Sequence, residues 1–197
     1  MTEPHRLKQL FLLIDHANNQ DPAQISATDP HTVAKEVLYS QRMQFRLKQF
    51  SPTANEALQI AAYGQHIQRW ASPRSDYPMD RPGYKRWRTE LGKFHADTTA
   101  ELMKQSTYPE DTIERVKYLL QKKGLKRDED TQALEDVICL VFLEYYLDAF
   151  AAKHAEDKIV SIIQKTWKKM SDKGHTAALS LPLDSHLLAL VTKALKG

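Results

Sequence analysis

Three residues of this chain, His66, His95 and Asp136, could together hold one metal ion. Each is expected on or beside the apolar face of a different helix. Two imidazoles and a carboxylate suit a divalent metal ion, and such an ion lowers the pKa of a bound water. We therefore predict one divalent metal ion, with His66 and Asp136 as the candidate catalytic residues. Without a metal, Asp136 could still orient the His66 imidazole for acid–base catalysis, or all three could be hydrogen-bonded core residues.

A second group of residues, within positions 61–95, is basic and aromatic. Guanidinium groups bind phosphate through paired hydrogen bonds, and flat rings stack on nucleobases. Arg69 and Arg74 are predicted to neutralise a phosphate, whereas Arg86 and Arg88 are interpreted as part of a solvated helix face. The residues predicted to contact the substrate are Gln41, Arg42, Gln65, Arg69, Arg74, Tyr77, Lys165 and Lys168.

Two helices joined by a loop must position these groups. A helix over residues 51–70 is predicted to carry His66, and its small residues permit close contact with a neighbouring helix. Residues 71–83 contain three prolines and a glycine, so this segment is predicted as an ordered loop. The helix that follows places His95 on its apolar face.

An earlier helix, predicted over about residues 33–50, supplies a polar side chain. Thr32 is expected to cap this helix, and residues 21–30 are expected to form a loop. Gln41 lies on the predicted apolar stripe, so its amide is interpreted as pointing into the protein beside Arg42.

The remaining patterns predict further helices and no strand pair. The most apolar helix, over about residues 133–152, is expected to turn Asp136 towards the core. We therefore predict an all-α fold of seven or eight helices that forms a single domain over residues 1–197.

The composition agrees with a helical protein and limits the function classes. The chain has 197 residues, of which 42% are hydrophobic and 27% charged, with six glycines. Its single cysteine, Cys139, excludes an internal disulfide and is expected in the core. A net charge of +3 does not by itself indicate nucleic-acid binding. No apolar run approaches the roughly 20 residues that span a bilayer, so no membrane partner is expected. The N-terminus has an acid and a proline where a signal peptide has a basic region, so a cytoplasmic location is expected.

Several motifs resemble those of a known family. They are LYSQRM, QHIQRW, PRSDYPMDRPGYKRWR, ALEDVICLVFLE and KTWKKMS, and they extend over nearly the whole chain. Together they resemble the family catalogued as domain of unknown function 4202, which implies no established activity.

The order and spacing of the helices are also similar to the HD superfamily of metal-dependent phosphohydrolases. That superfamily holds its metal with an early histidine, a His-Asp pair and a later aspartate. The resemblance places Gln65 and His66 at the His-Asp pair. It also matches Asp136 to the later aspartate and His95 to an additional histidine that some members carry.

The early histidine of the HD superfamily has no match here, because Tyr39 or Gln41 occupies its neighbourhood. Either the metal site has been rebuilt, or the fold has lost its metal and kept a pocket. The resemblance implies an HD-like core over residues 32–153, with residues 1–31 and 154–197 as packing helices.

These observations predict a metal-dependent phosphohydrolase that acts on a nucleotide or another phosphorylated small molecule. The alternative is a non-catalytic module that binds a nucleotide or RNA through the same basic and aromatic pocket. A third interpretation is an interaction protein in which the buried polar residues only lock the core. The oligomeric state is not predicted.

Overall fold

The chain is mostly helical, with one small β-hairpin. The computed structural model describes residues 3–28 and 31–196. The chain divides into two compact units, residues 1–124 and 125–197. This division falls inside the segment 32–153, which the HD resemblance assigns to one core.

The first unit contains five α-helices, two strands and two single 3-10 turns in its described part. In chain order these are α1 (Glu3–Asn18), β1 (Gln24–Thr28), β2 (His31–Ala34), α2 (Lys35–Phe50), α3 (Glu56–Tyr63), the 3-10 turns Arg69–Ala71 and Arg74–Asp76, α4 (Arg81–Gln105) and α5 (Glu110–Leu120).

The second unit is helical throughout its described part. Its helices are α6 (Glu129–Tyr145), α7 (Leu147–Ala151), α8 (Glu156–Trp167), α9 (Asp172–Leu179) and α10 (Ser185–Lys196). The sequence patterns did not indicate α9, because it is two turns long and buries only Gly174 and Ala178. None of the described helices is long and apolar enough to cross a membrane.

The hairpin corrects the prediction that the fold contains no strand pair. Strands β1 and β2 pair antiparallel, with Ile25 opposite Val33. The buried Asp21 carboxylate accepts hydrogen bonds from the backbone N–H of Ala23 (2.8 Å) and of Glu36 (3.3 Å). One side chain thus holds both the entry to β1 and the first turn of α2.

The start of α2 also differs from the prediction. Thr32 lies in β2 and does not cap the helix, which begins at Lys35 with no side-chain cap from Ala34. The Asp21 carboxylate accepts from a first-turn N–H in place of a local cap, which satisfies a donor that the helix leaves unpaired.

Gln41 is exposed on α2, so the interpretation that its amide points inward is wrong. Phe45, one turn further along the helix, is 54% exposed. The buried face includes Glu36, Tyr39 and Ser40. Two polar residues on this face obscured the apolar pattern in the sequence.

Helix α3 ends at Tyr63 and not at Trp70 as predicted. Gly64 ends it where the chain passes close to α4, since a Cβ at this position would lie 2.7 Å from Thr99 Oγ1. Beyond it, Gln68 has a left-handed backbone (φ 47°), and its N–H donates to Asn18 Oδ1 at 2.9 Å. Residues 64–71 therefore form a tight connection instead of continuing the α-helix.

The 25-residue helix α4 is the longest described element of the first unit. Asp80 caps it by accepting from the Gly83 N–H at 2.7 Å. Its buried face carries Trp87, Leu91 and His95. The fully buried apolar residues of the first unit include Leu10, Ile14, Met43, Leu47, Leu58, Ile60, Met103, Ile113 and Leu119.

Candidate functional site

A cavity of about 400 Å³ lies in the first unit, between α4, the end of α5 and the connection after α3. Five of its lining side chains are basic, and none of the described lining residues carries a carboxylate. The lining residues are Gln65, Arg69, Arg88, Thr89, Leu91, Gly92, Lys93, His95, Leu120, Gln121, Lys122 and Lys123. The cavity is therefore a site of positive charge.

A chain of three side chains holds Arg69 at this cavity. Nη1 of Arg69 lies 3.4 Å from Nε2 of His66, and Nδ1 of His66 lies 3.2 Å from a carboxylate oxygen of Glu36. The His66 ring also stacks on Tyr39, with ring centroids 3.6 Å apart. Both nitrogens and one face of His66 are thus engaged.

These contacts determine the protonation of His66. A guanidinium can only donate, so Nε2 of His66 accepts and Nδ1 carries the proton that is donated to Glu36. Burial, followed by the positive charge of Arg69, holds the pKa of His66 well below its usual range. His66 is therefore neutral and links the carboxyl group of Glu36 to the guanidinium group of Arg69.

The two charged ends of the chain are both partly desolvated. Burial raises the pKa of Glu36 to about 7, although the charges of Lys35 and Arg69 oppose this shift. Burial lowers the pKa of Arg69, and the neighbouring charge of Arg88 lowers it further. The cavity therefore holds cations close together without a carboxylate in its wall.

The two ring nitrogens of His95 have different environments. Its Nδ1 donates to the carbonyl oxygen of Ile67 at 2.8 Å. Burial and then the charge of Arg69 lower the pKa of His95 to about 3, so the ring is neutral. Within the described residues, Nε2 of His95 and Oε1 of Gln65 are buried and have no hydrogen-bond partner. Both residues line the cavity.

Trp87 holds guanidinium groups beside the cavity. The guanidinium carbons of Arg69, Arg88 and Arg74 lie 5.2, 5.9 and 6.0 Å from its ring. Its indole N–H donates to the Ser72 carbonyl at 3.0 Å, and the side chain is buried. Such cation–π contacts favour a fixed placement of the arginines.

Arg74 and Tyr77 hold the proline-rich loop. Arg74 donates to the carbonyl oxygens of Tyr77 at 2.9 Å and Pro78 at 2.6 Å, and the Tyr77 hydroxyl donates to Glu90 at 2.7 Å. Neither residue lines the cavity. Their substrate contact stays a prediction, as does that of the exposed Gln41 and the half-buried Arg42 on α2.

Asp136 lies in the second unit and has a structural environment of its own. Its Oδ1 accepts from Ser171 N at 2.8 Å and Gln132 Nε2 at 3.1 Å, and its Oδ2 accepts from Ser171 Oγ at 2.6 Å. A Cβ at Gly174 would lie 2.5 Å from Oδ1. The carboxylate therefore ties the start of α9 to α6. Lys165 and Lys168, also in this unit, are exposed.

The three residues predicted to hold a metal have different environments. The rings of His66 and His95 lie 6.1 Å apart, centroid to centroid. Over residues 3–28 and 31–196, no group of three or more His, Cys, Asp or Glu side chains is placed to hold a metal. Because His66 uses both nitrogens and Arg69 brings positive charge, the described residues fit a metal ion poorly. The metal site stays a prediction.

Several residues of the cavity were not predicted from the sequence. Arg88 was interpreted as solvent-facing, although it precedes His95 by seven positions and therefore shares its helix face. Lys122 and Lys123 follow α5, where Lys122 has a left-handed backbone (φ 55°) that no pattern indicated. Glu36 was also not predicted as a site residue, because the hairpin that positions it was not predicted.

The fold and the cavity define a mostly helical protein with a basic pocket in its first unit. The chain belongs to the family described as domain of unknown function (DUF4202), which matches residues 8–191. This confirms the first resemblance, and the match gives no link to the HD superfamily. Neither a curated protein nor a solved structure matches the chain.

Asp136→Asn is expected to destabilise the protein. The variant replaces one acceptor oxygen with an amide that faces donors of Ser171 and Gln132. We expect the free energy of unfolding to fall by about 1–3 kcal/mol in denaturant titrations. Asp172→Asn is the control, because Asp172 is exposed and should change stability by less than about 0.5 kcal/mol. Equal stabilities of the two variants would contradict the anchoring role.

Glu36→Gln should change how stability depends on pH. The folded protein binds the Glu36 proton more tightly than the unfolded chain, since the pKa is raised from 4.5 to about 7. The free energy of unfolding of the parent therefore falls as pH rises through this interval, by roughly 1–3 kcal/mol. The variant lacks this loss, and the opposing contribution of the histidines is common to both proteins. A stability difference that does not change between about pH 5 and pH 8 would show that the pKa is not raised.

Proposed function

We propose that the first unit binds the phosphate group of a phosphorylated small molecule, such as a nucleotide, in the basic cavity. The observation that carries this proposal is the set of five basic side chains around one cavity of about 400 Å³. Arginine and lysine are the residues that bind phosphate in proteins, through paired or single charged hydrogen bonds. This function corresponds to the binding-module alternative.

The charge arrangement supports an anionic ligand. Arg69 and Arg88 are both half-buried, and the charge of Arg88 lowers the pKa of Arg69. Partly buried like charges repel each other more strongly than in water. A bound phosphate would relieve this repulsion and accept from the guanidinium groups. Because His66 and His95 are neutral, they add no further positive charge at or near the pocket.

The size and lining of the cavity support a small molecule. Pockets for small ligands have volumes of about 300–1,000 Å³ and combine apolar walls with a few polar groups. Leu91 and Leu120 supply apolar surface here, next to the charged side chains. A phosphate at the end of an RNA presents the same group, and a binding test separates the two ligands.

The metal-dependent phosphohydrolase with an HD-like core stays a prediction. One observation favours it, the proximity of the His66 and His95 rings at 6.1 Å. The engagement of His66 with Arg69 and Glu36 leaves that ring without a free nitrogen for a metal. Phosphate binding alone is therefore the function that the described side chains support best.

Two arginines of α4 provide a matched test of phosphate binding. Arg88 lines the cavity, whereas Arg86 is exposed and forms an ion pair with Glu90. We expect isothermal titration calorimetry to detect binding of adenosine 5′-monophosphate and of inorganic phosphate to the parent protein. Arg88→Gln should lower both affinities about tenfold or more, because it removes charged hydrogen bonds. Arg86→Gln should leave both affinities within about twofold.

Three results would count against this assignment. Equal affinities of the parent and Arg88→Gln would remove the cavity from the binding site. Absence of binding by both probes in the parent would overturn the small-molecule proposal. A 5′-phosphorylated RNA oligonucleotide that binds while both small probes do not would favour the RNA-binding alternative.

Elemental mass spectrometry of tag-free protein tests the competing hydrolase prediction. Since His66 and Asp136 are hydrogen-bonded within their own units, we expect no stoichiometric manganese, iron, nickel or zinc after incubation with these ions. His66→Ala and Asp136→Ala serve as comparisons. Near-stoichiometric metal in the parent that is lost in both variants would support the rebuilt metal site instead.

A further inference from the structure

We propose that the cavity selects a phosphate that carries a proton, through a hydrogen bond from the phosphate P–OH to Nε2 of His95. This inference rests on the proposed phosphate site and names the form of the ligand that it prefers. The class of ligand is inorganic phosphate or a phosphate monoester with one protonated oxygen. A fully deprotonated anion of the same charge and shape would bind less well.

The tautomer of His95 makes its Nε2 an acceptor. A carbonyl oxygen cannot donate, so the 2.8 Å contact with Ile67 requires the proton on Nδ1. The other nitrogen of the neutral ring then presents a lone pair. The Ile67 carbonyl belongs to the tight connection after α3, so the backbone itself fixes the orientation of the ring.

This lone pair has no partner in the described part of the chain. His95 is 2% exposed, and its Nε2 is among the buried side-chain atoms without a hydrogen-bond partner. A buried polar atom without a partner destabilises a fold by about 1–3 kcal/mol, so such atoms point to a bound group. Because His95 lines the cavity, a ligand in that cavity can supply the missing donor.

The basic side chains of the lining make this acceptor selective. Arg69, Arg88, Lys93, Lys122 and Lys123 offer only donors, which suit the unprotonated oxygens of a phosphate. An acceptor among donors suits a protonated oxygen. Oε1 of Gln65 is a second buried acceptor without a partner in this lining. A site built to accept from a hydroxyl discriminates against an analogue that lacks it.

Inorganic phosphate and sulfate form a matched pair of probes. At about pH 8 most inorganic phosphate is HPO₄²⁻, which has the charge of sulfate and nearly its size, but carries one P–OH group. We expect calorimetry on the intact protein to give an affinity for phosphate about tenfold or more above that for sulfate. Equal affinities for the two anions would overturn the inference and leave the phosphate site intact. Failure of both anions to bind would overturn the phosphate site and the inference together.

Two variants of α4 locate the acceptor. His95→Asn keeps a donor for the Ile67 carbonyl but withdraws the acceptor from the cavity, because its side chain is shorter. We expect the phosphate-to-sulfate ratio of affinities to fall towards one in this variant. Thr99→Val is the control, since it also removes a buried atom of α4 without a partner, but Thr99 does not line the cavity.

The control variant should retain the parent ratio of affinities. A parent ratio that persists in His95→Asn would assign the selectivity to another group and overturn the role of His95. If His95→Asn does not fold, the ratio in the parent and in Thr99→Val still decides the inference, since a ratio of one in the parent contradicts it.

Discussion

The hydrogen-bonded chain from Glu36 through His66 to Arg69 is the constraint on which the site depends. It places a half-buried guanidinium at the cavity wall and requires the histidine between the two charges to stay neutral. A buried anion stabilises a nearby buried cation only when hydrogen bonds fix their geometry. Here the hairpin positions Glu36 at the start of α2, and the early end of α3 positions His66 and Arg69 in the connection that follows it. The two elements together provide the geometry of the chain.

Helix α4 forms the opposite wall and explains why the cations remain close together. Trp87 lies under three guanidinium groups, while His95 is held by a backbone carbonyl of the same connection. The resulting pocket is rich in donors and contains buried acceptors that have no hydrogen-bond partner among the described residues. Unpaired buried acceptors and closely spaced cations lower the stability of the folded protein, and a ligand that pairs with these groups raises it again. This balance is typical of a preformed binding site.

The buried carboxylate of Asp136, in the second unit, has a structural role. Asp136 is 1% exposed, and both of its oxygens accept hydrogen bonds. The donors are Ser171, at the start of α9, and Gln132, one turn before Asp136 on α6. The tight approach of Gly174 to this carboxylate makes the arrangement specific. In sequence, a carboxylate on an apolar helix face looks the same whether it anchors a loop or binds a metal.

The sequence by itself determined the helical class and the outline of most helices, because apolar spacing and proline-rich breaks are local properties of the chain. The basic and aromatic segment 61–95 supplies most of the lining of the cavity. The sequence also singled out His66, Arg69 and His95 by their types and positions. Only the tertiary structure decided that Glu36 is the partner of His66 and that Arg88 faces the cavity. Which donor meets which acceptor depends on a hairpin and on a connection with a left-handed residue, and both are set by contacts between residues far apart in the chain.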